Sequence, residues 1–184
     1  MRALHLKNDK KQILKAGQYV RFLQKGEWEY FERSNCSGVV IIVAMTKDKE
    51  VVFVEQFRPP VGKRVLEFPA GLVNDQKRKK ESWKAAALRE LLEETGYRAK
   101  RIVKLLEGPV SSGMSSDKVV MAQALDLIKV TEGGGDELED IKVHKVPLSK
   151  VDSWLKETER KGCLIEPKIY AGLYFLKKYN ELNH

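Results

Sequence analysis

Arg89-Glu90-Leu91-Leu92-Glu93-Glu94-Thr95-Gly96 is the stretch on which the architecture of this chain turns. Ser82 to Thr95 is rich in Ala, Leu and Glu, and Ala85, Leu88 and Leu92 recur at helical spacing before Gly96, so a helix stopped at that glycine is expected. At about 100° per residue, Glu90 and Glu94 fall one turn apart on one face with Glu93 a step round, and their oxygens can converge. Like charges so placed repel, and a divalent cation reverses that repulsion. Hard oxygen donors with no His or Cys nearby favour Mg²⁺ over zinc. By itself the pattern fits a solvated helix face equally well.

Outward from the helix, the chain reads as strands. Upstream, Gly38 to Met45 and Val51 to Phe57 are β-branched runs joined by the polar turn Thr46 to Glu50, expected as a buried hairpin. Pro59 and Pro60 cannot donate to a ladder, so a rigid connection should precede a short strand at Val65 to Phe68. Further back, Gln18 to Arg33 alternates apolar and polar positions about Lys25-Gly26, which predicts two short strands and a turn. Downstream, strands are expected at Ile102 to Leu106, Val119 to Leu127 and Ile141 to Val146, separated by the loops Gly108 to Ser116 and Gly133 to Asp140. Two helices should close the chain: Ser149 to Lys161 with Ser149 as N-cap, and Pro167 to Tyr179 with Tyr170, Leu173 and Leu176 along one face.

A length of 184 residues with 42% hydrophobic content supports one main core. The opening MRALHLKNDKKQ has no apolar export segment, and the longest apolar run, Val39 to Met45, is far too short to span a membrane, so a soluble, cytoplasmic protein is expected. Cys36 and Cys163 have neither metal spacing nor disulfide density and read as packing residues in a reduced compartment. A net charge of +8 favours anionic partners. The basic residues form short scattered groups without interleaved aromatics, which argues for a solvated surface and against nucleic-acid binding.

From Gly71 through Glu81, Arg89-Glu90, Glu93-Glu94 and Gly96-Tyr97, the chain resembles the Nudix box, G-x5-E-x7-R-E-U-x-E-E-x-G-U, with U a bulky apolar residue. Every fixed position from Glu81 onward matches, while nine residues instead of five separate Gly71 from Glu81. The insertion falls in a loop ahead of the candidate ligands, so altered access is expected and not lost chemistry. The resemblance implies an α/β fold, an α/β/α sandwich with a mixed sheet. It implies that Glu90, Glu94 and Glu93 hold two or three Mg²⁺ ions, for which Mn²⁺ can substitute, that the Ala70 carbonyl adds a ligand, and that Glu81 and Arg89 orient the carboxylates.

Glu55-Gln-Phe-Arg58-Pro-Pro60 and Leu66-Glu67-Phe-Pro-Ala-Gly71 resemble the ADP-ribose and nucleoside diphosphate sugar pyrophosphatase branch of that family. That implies Arg58 on a phosphate, although it could equally brace the turn, and Glu67 as a further substrate-binding residue. Gly26 to Arg33 resembles the same branch. There residues 1–37 form a small β region that builds a homodimer, with 38–184 the catalytic domain, and Trp28 stacks on the base, Tyr19 is a second face and Arg33 lies near phosphates or base. Ordinary strand packing is the alternative for Trp28. Gly135 to Ile141 falls where the branch carries its catalytic loop, so Glu139 is assigned as metal ligand or base and Glu137 as the competing base. Ser112, Gly113 and Met114 form the substrate loop after the box, where Ser112 replaces a proline common in ADP-ribose enzymes. That departure keeps GDP-mannose and other NDP-sugars open beside ADP-ribose. Hydrolysis of free or RNA-linked nucleotides and a non-catalytic sensor are the rival functions.

Overall fold

The computed structural model describes residues 10–75, 80–135 and 140–182. In chain order the elements are β1 (Lys11–Ala16), β2 (Val20–Lys25), β3 (Trp28–Arg33), β4 (Gly38–Met45), β5 (Glu50–Arg58), β6 (Lys63–Glu67), β7 (Ala70–Val73), α1 (Trp83–Thr95), β8 (Tyr97–Pro109), β9 (Lys118–Lys129), β10 (Lys142–Pro147), α2 (Val151–Arg160), β11 (Leu164–Ile165) and α3 (Lys168–Leu182). Strands β1, β2 and β3 form a separate antiparallel sheet, and the other eight form one mixed sheet. The alternation of Gln18 to Arg33 foretells β2 and β3. Strand β1 carries no such signal, because it is exposed along its whole length and is placed by backbone pairing to β2.

The expected hairpin of β4 and β5 forms, but the two pair only through Ala44↔Val52 and Met45↔Val51. Beyond that point they part. Strand β4 takes β7 on one side and β9, in parallel, on the other, while β5 takes β6 and β10. The parting positions the site, since it admits Ala70 and Gly71 beside Ile41 and Val40.

Period-2 alternation divides the apolar runs between two cores. Ile41, Val43, Val51 and Phe53 face α2 and α3, where they meet Leu155, Ile169, Leu173 and Leu176. Val40, Ile42, Ala44 and Val52 face α1, where they meet Ala86, Ala87 and Leu91. Helices thus cover both faces of the sheet, and the α/β/α sandwich stands.

Three local expectations are corrected. The inner stripe of α1 is Ala86, Ala87, Leu91, Glu94 and Thr95, whereas Leu88 is 40% exposed. Apolar spacing missed it because a carboxylate occupies a core-facing position. Ser149 does not cap α2; it lies in a 3-10 turn, Leu148–Lys150, and the helix starts after Lys150 without a side-chain cap. Tyr170 is 56% exposed, and Ile169 takes its place beside Leu173 and Leu176 in the core. Among the described residues no helix is long and apolar enough to cross a membrane. Both cysteines are free, and Cys163 packs at the margin of the α2 and α3 core.

Candidate active site

Helix α1 begins where the Ser82 hydroxyl accepts from the Ala85 amide and ends at left-handed Gly96, so its register is set at both ends. That register aims Arg89 at a ring of carboxylates. Its Nε and Nη2 donate to the two oxygens of Glu81 at 3.0 and 3.2 Å, and Nη1 donates to Glu90 at 2.7 Å and Glu93 at 3.0 Å. Nη2 also donates to the Leu72 carbonyl at 3.0 Å and lies 3.7 Å from Asp75. One planar fork therefore ties β7, the loop after it and α1 together, a task for which lysine's single ammonium is unsuited. Burial opposes the Arg89 charge, but Glu81, Glu90 and Glu93 outweigh it and raise its pKa above the ordinary guanidinium value.

Glu94 is 3% exposed, and one of its oxygens accepts from the Ala70 amide at 3.1 Å. Glu90 lies against Gly71 so closely that a Cβ there would fall 1.9 Å from the glutamate's carboxyl carbon. The glycine at the head of the motif is thus a matter of space for a carboxylate. Burial pushes the Glu90 carboxyl up to about 7 from its ordinary value of 4.5, with Glu93 and Asp75 adding to the rise and Arg89 opposing it.

A pH dependence follows for the metal-free protein. Between pH 4.5 and about 7 folded Glu90 holds a proton that the unfolded chain has released, so its contribution to stability falls as pH rises through this window. The shift corresponds to roughly 3 kcal/mol. Metal-free protein should melt several degrees higher at pH 5.5 than at pH 7.5 on this account, and Glu90→Gln should flatten that difference. An unchanged slope in the variant would discount the buried carboxylate.

The Asp75, Glu90 and Glu93 carboxylates line a cleft of about 490 Å³ together with Arg33, Arg58, Ala70, Gly71 and Gly135, while Glu81 and Glu94 are not part of its lining. Arg33 reaches it from β3 and is held by Asp117 at 3.1 Å. Arg58 is held by Glu67, with Nη2 donating at 2.6 Å, and buried Gln56 donates to the same carboxylate at 3.2 Å. Arg58 thus pairs with Glu67 and also lines the cleft. Two arginines share the cleft with the carboxylates, each paired with its own acid.

Gly133, Gly134 and Gly135 lie against the end of α1, where Gly134 and Gly135 donate to the Glu94 and Glu93 carbonyls at 2.8 and 3.1 Å. Gly133 has φ +73°, and a Cβ on it would sit 2.4 Å from the Thr95 carbonyl carbon. The glycine run is therefore the mating surface between helix and loop. Glu137 and Glu139 lie outside the described residues.

Trp28 and Tyr19 do not line this cleft. Trp28, 53% exposed, lines a separate depression of about 220 Å³ with Lys25, Tyr30, Ser112, Gly113 and Ser115. Strand β3 is stitched to that loop, with the Phe31 amide donating to the Met114 carbonyl at 2.8 Å and the Ser116 amide donating to the Phe31 carbonyl at 3.0 Å. The structure thus joins Trp28 to Ser112 and Gly113, and Arg33 to the carboxylates. Sequence reasoning missed Asp75, Leu72, Gln56 and Asp117. Asp117 and Gln56 carried no spacing signal, and Asp75 sits in the lengthened loop entered through left-handed Asn74.

Among the described residues no three His, Cys, Asp or Glu side chains already form a metal-holding group. Glu90 and Glu93 are engaged by Arg89, and Glu94 by Ala70. The donor chemistry nonetheless fits a hard divalent cation. It is all oxygen, Glu90 and Glu93 line one cleft with Ala70, and burial outweighs the Arg89 contact in disfavouring the Glu90 charge.

A model of the NUDIX domain matches residues 35–162. The chain is 33% identical over 142 residues to the ADP-ribose pyrophosphatase of Bacillus subtilis, covering 77% of this chain and 73% of that protein. It is 30% identical over 148 residues to the methanol dehydrogenase activator of Bacillus methanolicus, covering 80% and 76%. A crystal structure of an ADP compounds hydrolase superposes with a TM-score of 0.72 at 20% identity over 95% of this chain and 93% of that one, a likeness of fold.

Proposed function

The chain belongs to the Nudix hydrolase family, and from that premise we propose that it hydrolyses the pyrophosphate bond of nucleoside diphosphate sugars, with ADP-ribose the favoured substrate. The observation that carries this reading is the pairing, in one cleft, of the Glu90, Glu93 and Asp75 carboxylates with the Arg33 and Arg58 cations. A diphosphate is an anion that both walls can hold, one directly through arginine and the other through bound cations. The resemblance to ADP-ribose pyrophosphatase supports the choice of sugar nucleotide.

In this reading Glu90, Glu94, Glu93 and the Ala70 carbonyl hold Mg²⁺, with Glu139 completing the set. The ions would offset the diphosphate charge and make a bound water more acidic. Arg89, itself held by Glu81, fixes Glu90 and Glu93, and Arg58, backed by Glu67, would orient a phosphate. Glu139, or Glu137 in its place, takes the proton from water as the water oxygen bonds to phosphorus and the bridging oxygen leaves. The products from ADP-ribose are AMP and ribose 5-phosphate.

The enzyme in this proposal is a cytoplasmic homodimer. Within one chain Trp28 and the carboxylates line different depressions, and the N-terminal sheet leaves Ile13, Leu14, Tyr19, Val20 and Phe31 exposed. A second copy would cover that apolar surface and can bring Trp28 to the base.

The test is a substrate panel with and without Mg²⁺, run on the parent and on Trp28→Ala. Metal-dependent release of AMP from ADP-ribose is expected, ahead of GDP-mannose. Trp28→Ala should raise KM for both, since stacking tolerates any base, by an amount equivalent to roughly 1–3 kcal/mol. Faster turnover of GDP-mannose would overturn the substrate preference, and an unchanged KM in an intact dimer would remove Trp28 from the site.

A further inference from the structure

A second cavity, of about 420 Å³, opens on the α2 side of the sheet. Glu55, Arg64, His144 and Trp154 are among its lining residues, as are Lys63 and Lys161. None of these belongs to the carboxylate cleft, and the size is that of an ordinary small-molecule site.

The polar part of the wall is internally satisfied. Arg64 donates to a Glu55 carboxylate oxygen at 2.5 Å, to the Glu55 carbonyl at 3.1 Å and to the Asp140 carboxylate at 2.8 Å, while His144 Nε2 lies 2.9 Å from the other Glu55 oxygen. Glu55 is thereby consumed, and its carboxyl is held below its ordinary value by Arg64 and His144 although burial works the other way. The charge left over is positive. Lys63 has no ion pair among the described residues, and Lys161 has only an exposed contact with Glu157 at 3.6 Å, worth little in water.

The apolar part of the wall is fixed. The Trp154 ring stacks on Phe53 at 5.8 Å and 13° and meets His144 at 5.2 Å, so the core holds one side of the indole while the half-buried remainder lines the cavity. Burial raises the Cys163 thiol, which therefore lines the floor as a neutral group. A fixed aromatic side chain and two available ammonium groups in one cavity suit a ligand with both a flat ring and a negative charge.

We propose that this cavity is a second ligand site, taking a small anion that carries a planar ring. A nucleoside monophosphate and an aryl carboxylate share that chemistry. The site does not depend on the reaction proposed above.

The test is a ¹H–¹⁵N NMR titration of metal-free protein with AMP, benzoate, inorganic phosphate and adenosine. The three tryptophans, Trp28, Trp83 and Trp154, give one indole signal each, assigned by single Trp→Phe variants. AMP or benzoate should shift the Trp154 signal to saturation, and whichever binds more tightly identifies the source. Phosphate without a ring and adenosine without a charge should bind at least about tenfold more weakly, as should the better ligand to the Lys63→Glu/Lys161→Glu variant. A Trp154 signal that stays still to roughly 10 mM of AMP and benzoate, or that moves equally in the double variant, would overturn the proposal. A shift confined to Trp28 would count against it in the same way while leaving the carboxylate cleft in play.

Discussion

Glu94→Gln is expected to lower kcat/KM by at least about 100-fold with little change in melting temperature, since a metal-bound charge supplies several kcal/mol of transition-state stabilisation. The variant suits the question because Glu94 is 3% exposed and accepts from the Ala70 amide. Glutamine matches the side chain in size and retains an oxygen for that amide, so the change removes charge and little else. Activity should be measured at limiting Mg²⁺, where a weakened ligand shows most, beside a thermal melt. Near-parental turnover under those conditions would remove Glu94 from the metal set, and a collapsed melt would reassign it to the fold.

Arg89→Ala should cost both stability and activity. Arg89 engages Glu81, Glu90 and Glu93, and the side chains of Arg89, Glu81 and Glu90 are each largely buried. Breaking a buried ion pair leaves uncompensated charge, at about 3–5 kcal/mol, and in a chain of this size that is a fall of about 10 °C in melting temperature. The loss should be smaller at pH 6 than at pH 8, because Glu90, already pushed up to about 7, can escape by taking a proton. Arg89→Lys separates the two roles. It restores one charge near the ring but cannot reach Glu81, Glu90 and the Leu72 carbonyl at once, so stability should recover further than kcat. Equal recovery of both would show that charge alone matters at this position.

Much of the strand layout was legible, because the hydrophobic pattern was strong where both faces of a strand are buried. The runs Gly38 to Met45 and Val51 to Phe57 became β4 and β5 for that reason. Exposed elements were harder. Strand β1 buries no side chain, and β8 extends from Tyr97 to Pro109 where only Ile102 to Leu106 was expected, since Gly108 reads as the start of a loop and most of the strand is exposed. Of the candidate site, Glu90, Glu93 and Glu94 were legible because helical spacing sets which side chains share a face, while Glu81 and Arg89 were legible only through the resemblance to the Nudix box. Their partners across the fold, Asp75, the Leu72 carbonyl and the Ala70 amide, were not.

What the sequence determined by itself was local: a helix stopped at Gly96, the placing of Glu90, Glu93 and Glu94 within one turn of it, the strand runs and the family to which they belong. Tertiary structure alone decided which pairs met across long separations. Arg33 came to the carboxylate cleft while Trp28, five residues earlier on the same strand, came to a different depression with Ser112 and Gly113. It also decided that Gly71 must be glycine, since the Glu90 carboxylate arrives from α1 to occupy the space of its side chain. Spacing along a chain fixes direction within one helix or strand. The divergence of β4 from β5, which brings Ala70 and Gly71 beneath α1, depends on the packing of two cores that no single segment encodes.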